Sequence, residues 1–234
     1  HNGVPRIDPA QFELVVQGRV ERALSFNVQS LLRYPRCSRI LVLECGGNSN
    51  TGWQREPVQA PAGFLHGLGY PLRLVVPGFE GVTWVKWLRG LTVSDEPLMA
   101  RNETARYTEL QPNGKARMFT FAMGVKSCIT TPTVGMSLQG PGFYEISGLA
   151  WSGRGRVQAV NLTADGGQTW AEAHLDEPRL PRSFTRFRLP WRWNGQPCVL
   201  ASRATDDTGE LQPTRAELIA QRGNQSYFHY NAVV

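Results

Sequence analysis

The chain has 234 residues, 41% hydrophobic and 19% charged, which excludes a disordered segment and allows one large or two ordinary domains. Its net charge of +6 is almost entirely arginine, which favours planar anions as ligands. The sequence offers no helix with a basic face, no basic tail, no zinc-finger spacing and no apolar run near the ~20 residues of a bilayer span, so nucleic acid and membrane insertion are set aside.

Twenty-four Gly and 16 Pro predict many turns and a strand-rich chain, and seven Trp predict large buried anchors. Phe12 to Gly18 reads as a strand closed by a glycine turn. Ser25 is the expected cap of a short helix over about 27–33, ended by Pro35. Ile40-Leu41-Val42-Leu43 reads as a buried strand that stops at Glu44-Cys45-Gly46-Gly47-Asn48-Ser49. The paired glycines let the backbone turn sharply there and let a bulky group approach. Cys45 is therefore placed either as a ligating or nucleophilic thiol or as a buried structural cysteine. Cys37, Cys128 and Cys198 form no CxxC pair with it or with each other, which leaves the compartment open.

Residues 50–69 read as loop. Pro71-Leu72-Arg73-Leu74-Val75-Val76-Pro77-Gly78 predicts a second buried strand, and Val85-Lys86-Trp87-Leu88 leads into a third at Gly90 to Val93. Pro112-Asn113-Gly114 is a turn and the expected domain boundary, giving domains 1–112 and 113–234. Strands are predicted at 117–123, 142–149, 156–163, 168–175, 184–189 and 197–203, with Asp165-Gly166-Gly167 as a hairpin turn. That spacing predicts an antiparallel sandwich of immunoglobulin type. The second domain also carries the arginines 179, 182, 186, 188 and 192.

The Cys45 loop resembles the cysteine loop of the sulfite oxidase family of molybdenum enzymes, and its Glu-Cys-Gly-Gly-Asn-Ser form is most similar to the SoxC-type sulfane dehydrogenases of bacterial sulfur oxidation. Four further blocks resemble the family in the same order: His1-Asn2-Gly3-Val4-Pro5; Gly69 to Gly78 with Val85-Lys86-Trp87-Leu88; Arg106-Tyr107-Thr108; and Gly148-Leu149-Ala150-Trp151-Ser152-Gly153 with Asp165-Gly166-Gly167-Gln168-Thr169-Trp170. The resemblance implies an α+β molybdopterin-binding domain of sulfite oxidase type, apparently shortened, followed by an immunoglobulin-like all-β dimerisation domain.

It further implies a molybdenum–molybdopterin cofactor, with the Cys45 thiolate on the metal and His1, Arg73 and Lys86 on the pterin and its phosphate. Tyr107, 21 residues beyond Lys86, would stand in the substrate cavity. The family's arginine before the histidine would lie two residues upstream of His1. In sulfite oxidases an arginine five residues after the cysteine helps bind sulfite, and Asn50 stands at that position here.

The implied activity is oxidation of sulfane sulfur held on a carrier protein, with electrons passed to a cytochrome c subunit, since the chain has no CxxCH haem site. A periplasmic homodimer, or a heterotetramer with the cytochrome, is the implied assembly. A sulfite dehydrogenase is the neighbouring alternative. A non-catalytic dimerisation or docking scaffold is the alternative from another class. It is motivated by a gap: His66-Gly67-Leu68 runs straight into Gly69-Tyr70-Pro71, where the family carries several dozen more residues. The chain also stops at Val234, before the family's usual end.

Overall fold

The computed structural model describes residues 5–44, 69–100, 108–118, 122–133, 135–222 and 232–233. In the first domain, strands β1 (Leu14–Gly18) and β2 (Leu24–Phe26), helix α1 (Val28–Leu31) and strand β3 (Gly90–Val93) follow in order. They form a three-stranded sheet, β2-β1-β3. β1 is antiparallel to β2, pairing Leu14 with Phe26, and parallel to β3, pairing Val15 with Gly90. Phe12, Leu14 and Leu88 are its buried core, and Phe26, Val28, Leu31, Leu72 and Leu74 pack around them.

Three local expectations are corrected here. The cap of α1 is Asn27, whose Oδ1 accepts from the Ser30 N–H at 2.8 Å; Ser25 lies within β2, too far upstream to reach the first turn. Ile40 to Leu43 belongs to no sheet, and of the four only Val42 is buried, its N–H donating to the Arg182 carbonyl of the second domain at 2.8 Å. Residues 71–76 form no strand either. Their ladder shrinks to one antiparallel bridge, Arg73 opposite Lys86, flanked by Pro71 and Pro77, which have no N–H to give.

The second part begins with the hairpin β4 (Thr108–Leu110) and β5 (Ala116–Met118), turned at Gly114 with φ 77°. There follow β6 (Lys126–Thr131), β7 (Gly142–Trp151), β8 (Val157–Thr163), β9 (Ala171–Glu172), β10 (His174–Leu175), β11 (Thr185–Trp193), β12 (Leu200–Asp206), helix α2 (Arg215–Arg222) and β13 (Ala232–Val233). Two four-stranded sheets, β10-β11-β7-β6 and β13-β12-β8-β9, face each other as the expected sandwich. Val125, Ile129, Ile146, Ala150, Val157, Val160, Leu162, Phe187, Leu200 and Ala204 fill the space between them. Inward and outward residues alternate along β12 and the second half of β7, as a half-buried strand requires. Gly148 is a packing glycine: a Cβ there would overlap the Cys128 carbonyl and the Phe187 ring.

The predicted strands over 142–149, 156–163 and 184–189 are present and longer or shifted by a residue; that over 197–203 moves to 200–206. The predicted 117–123 strand is Ala116–Met118 in the described residues, and 168–175 divides between the two sheets, β9 on β8 and β10 on β11. The Asp165-Gly166-Gly167 turn joins β8 to β9, with Gly166 and Gly167 at φ 72° and 96°. β6 was not expected, because Lys126-Ser127-Cys128 reads as polar. Its polar groups are paired in the interior: the Ser127 hydroxyl lies 2.8 Å from that of Ser202 and 2.6 Å from Gln212 Oε1. No helix among the described residues is long and apolar enough to cross a membrane.

Candidate functional site

Arg73 and Lys86 come together as expected. They are the single bridged pair of an irregular hairpin, held by Leu74 N–H to Val85 O at 2.9 Å and Leu88 N–H to Leu72 O at 3.0 Å. Residues opposite each other in an antiparallel pair project to the same side, so two cations stand side by side, which costs energy unless something offsets it. Aromatic faces do so in part. The Arg73 guanidinium sits 5.8 Å from the centre of the Trp84 ring, and Lys86 Nζ 4.7 Å from that of Trp87.

Trp84 is fixed by burial and by its indole N–H donating to Phe79 O at 3.0 Å. Trp87 is held at φ 53°, a conformation that a bulky side chain adopts at a cost of about 1–3 kcal/mol. Gly69 lies against Lys86, where a Cβ would stand 3.0 Å from the lysine Cβ.

Among the described residues neither cation has an ion-pair partner, and Arg73 Nε is buried without a hydrogen-bond acceptor. A buried, unsatisfied guanidinium donor beside a second cation is what a bound anion would complete. These residues therefore fit the phosphate and pterin end of a molybdopterin. His1, Cys45 and Tyr107 lie outside the described residues, as do Asn50 and residues 45–68 as a whole.

The residue before Cys45 is described, and it gathers the site. Glu44 is 5% exposed, and its carboxylate lies between two donors of the sandwich: Lys126 Nζ at 2.8 Å from Oε1 and the Trp151 indole N–H at 2.9 Å from Oε2. Lys126 is equally buried, at 4%. The Glu44 carbonyl accepts the Gly81 N–H at 2.6 Å, and Gly81 belongs to the loop that joins Arg73 to Lys86. One residue thus ties the cysteine segment, the Arg–Lys hairpin and the second domain together.

The contact continues at Gly78, whose carbonyl accepts from Met123 N at 2.9 Å, and at Arg182, whose Nε donates to Gly153 O at 3.1 Å. The sequence pointed to the Glu44–Ser49 block and to the block around Trp151 but assigned neither Glu44 nor Trp151 a role in the site. No local signal marked the pair: Lys126 opens a strand of mostly polar residues, and its burial shows only in the fold.

The comparisons with known proteins match both domains. A family model described as the Mo-co oxidoreductase dimerisation domain matches residues 117–234. One described as the oxidoreductase molybdopterin binding domain matches in two pieces, residues 1–67 and 64–102. Mitochondrial sulfite oxidase of Mus musculus is 32% identical over 160 residues, covering 62% of this chain and 29% of the relative. The human enzyme is 34% identical over 160 residues with the same coverage. An NADH nitrate reductase of Solanum lycopersicum is 29% identical over 175 residues, covering 63% and 19%.

Among solved structures, the sulfane dehydrogenase SoxCD from Paracoccus pantotrophus superposes with a TM-score of 0.87 at 32% identity, covering 99% of this chain and 77% of that one. The chain spans less than a third of the length of these curated relatives. A molybdopterin-binding domain followed by a dimerisation domain, the fold shared with SoxCD and the paired cations of the hairpin lead to one assignment: the chain belongs to the sulfite oxidase family of molybdenum–molybdopterin enzymes, close to its sulfane dehydrogenase branch.

Proposed function

We propose that the protein is a molybdenum-dependent sulfane dehydrogenase subunit that oxidises sulfane sulfur held on a carrier protein and passes the electrons to a cytochrome c. The observation that carries this reading is the likeness to SoxCD over 99% of the chain, together with Asn50 in place of an anion-binding arginine. A neutral residue there removes one attraction for free sulfite and suits a sulfur chain delivered on a protein.

When bound, the cofactor supplies two-electron oxidation of the sulfur with an oxygen atom drawn from water, releasing two protons. The chain's own residues take the remaining roles. Arg73, Lys86 and His1 would hold the phosphate and pterin. Cys45 gives its thiolate to the metal, and Tyr107 holds substrate in the cavity and relays a proton. The working form is a periplasmic homodimer, or a heterotetramer with the cytochrome. The domain boundary is placed at 112/113, within the β4–β5 hairpin.

Turnover of a carrier-bound persulfide and of free sulfite by the full-length, molybdenum-loaded protein tests the reading, with reduction of cytochrome c as the readout. Reduction by the carrier-bound substrate alone supports it. Reduction by free sulfite at a comparable rate turns the assignment to a sulfite dehydrogenase, which the sulfite oxidases among the relatives favour. Loaded protein inert to both gives way to the non-catalytic scaffold, which the two-piece match of the molybdopterin domain favours.

A further inference from the structure

We infer that Trp87 is the positioning residue for Lys86: its left-handed backbone brings the indole face to the Lys86 ammonium, which is held for the cofactor's phosphate without being neutralised. The inference rests on the reading of Arg73 and Lys86 as the grip on that phosphate. It is carried by a backbone outlier and by the contact that the outlier makes. Successive residues of a strand point to opposite faces. Lys86 is bridged to Arg73, so an extended Trp87 would turn away from both. At φ 53° Trp87 leaves that alternation, and its ring centre lies 4.7 Å from Lys86 Nζ.

The departure is confined to this point. Leu74 N–H to Val85 O at 2.9 Å closes the hairpin before the pair, and Leu88 N–H to Leu72 O at 3.0 Å closes it after. Leu88 already belongs to the buried core. Strain of this kind persists only where the surroundings over-determine it, and it collects at ligand clamps. Glycine takes such a φ freely, so a tryptophan here needs a reason in its ring. The ring does what a carboxylate could not. A carboxylate beside Lys86 would take up its N–H donors and repel an incoming anion. An aromatic face attracts the ammonium and leaves the donors for the anion. Among the described residues Lys86 has no ion-pair partner, as this role requires.

The test uses the full-length protein purified with molybdenum from its own host. Trp87→Phe, Trp87→Leu, Trp87→Gly, Lys86→Gln and the double variant Lys86→Gln/Trp87→Leu are compared with wild type. Pterin and molybdenum per chain, the rate of pterin loss on dialysis and near-ultraviolet circular dichroism are measured. Trp87→Leu should stay folded and lose pterin about 10-fold faster than wild type. Trp87→Phe should fall between them, because a phenyl face binds a cation less well than an indole. In the Lys86→Gln background Trp87→Leu should change nothing further, since the ring acts through the lysine.

Trp87→Gly guards against misfolding of Trp87→Leu: it takes the φ without strain, lacks the ring and should lose pterin as fast. Failure of both to fold assigns the ring to packing and overturns the inference. Folded Trp87→Leu and Trp87→Gly that keep pterin as long as wild type, while Lys86→Gln sheds it, overturn the inference and leave the phosphate grip standing. A full additional loss in the double variant shows the ring acting apart from the lysine and overturns the positioning role. A Lys86→Gln variant that holds pterin like wild type overturns the reading of the grip and the inference with it.

Discussion

Gly78 of the first domain and Gly153 of the second meet backbone to backbone, each where the other's side chain would have to go. A Cβ on Gly78 would overlap the Gly153 carbonyl, and one on Gly153 the carbonyl of Gly78. Gly78 also sits at φ 88°, a region that favours glycine. On the same side of the contact the Arg182 side chain donates to Gly153 and its backbone carbonyl receives Val42. The two domains are therefore fitted at the level of main chain, and the segment that leads to Cys45 lies in that fit.

Gly153→Ala should separate this contact. Overpacking typically costs about 1–3 kcal/mol, and here the obstructing atoms are backbone, which cannot rotate away. Thermal unfolding should show a lower Tm than wild type. Gly114→Ala, where a Cβ meets nothing within 4 Å, serves as the control for strain at positive φ without a clash.

Lys126→Met alone should cost about 3–5 kcal/mol, because it leaves the Glu44 carboxylate buried without its cation. Glu44→Leu/Lys126→Met should recover most of that loss. The two side chains are only 5% and 6% exposed, so the pair escapes the screening that makes surface ion pairs weak. Denaturant titration of the three proteins decides it. A single variant as stable as wild type would show that the pair is not what holds this contact.

Arg73→Lys is not expected to be conservative. A lysine keeps the charge but loses the planar fork over Trp84 and the buried Nε donor. Loss of a hydrogen bond to a charged group is worth about 1.5–3 kcal/mol, or roughly 10- to 100-fold in affinity for the cofactor. Pterin and molybdenum per chain in Arg73→Lys and Lys86→Gln, set against wild type, measure it. Full occupancy in both would mean that the hairpin cations do not hold the phosphate.

Much of this was legible in the residues. The sandwich could be read because strands such as β7, β11 and β12 bury alternating residues, and the Asp165-Gly166-Gly167 turn could be read because its paired glycines suit the positive φ that both adopt. Arg73 and Lys86 could be placed together because their segments form one hairpin. The contact of Glu44 with Lys126 and Trp151 could not be read: its partners are 82 and 107 residues apart, and no local pattern marks a long-range polar pair. β6 was hidden for the same reason, its polar side chains being paired across the core. The Ile40 to Leu43 run misled because an apolar run looks alike in sequence whether its hydrogen bonds go to a sheet or to a neighbouring domain.

Asp206 gives a prediction in pH. It is fully buried at the end of β12. Burial alone would raise its carboxyl, but hydrogen bonds from the Ser152 and Thr208 hydroxyls and from the Glu210 and Thr208 N–H groups outweigh that and hold it below the usual carboxylate range. A carboxyl depressed in the folded state adds stability that is complete above its unfolded pKa, about 3.9, and is lost as pH falls through the folded value. Asp206→Asn should be less stable than wild type near neutral pH, since an amide cannot accept all these bonds. The difference should stay level down to about pH 5 and shrink below about pH 4, as wild type itself becomes protonated. Denaturant unfolding of both proteins between pH 3 and pH 8 reads it directly, and a difference that widens as the solution is acidified would contradict the assigned direction.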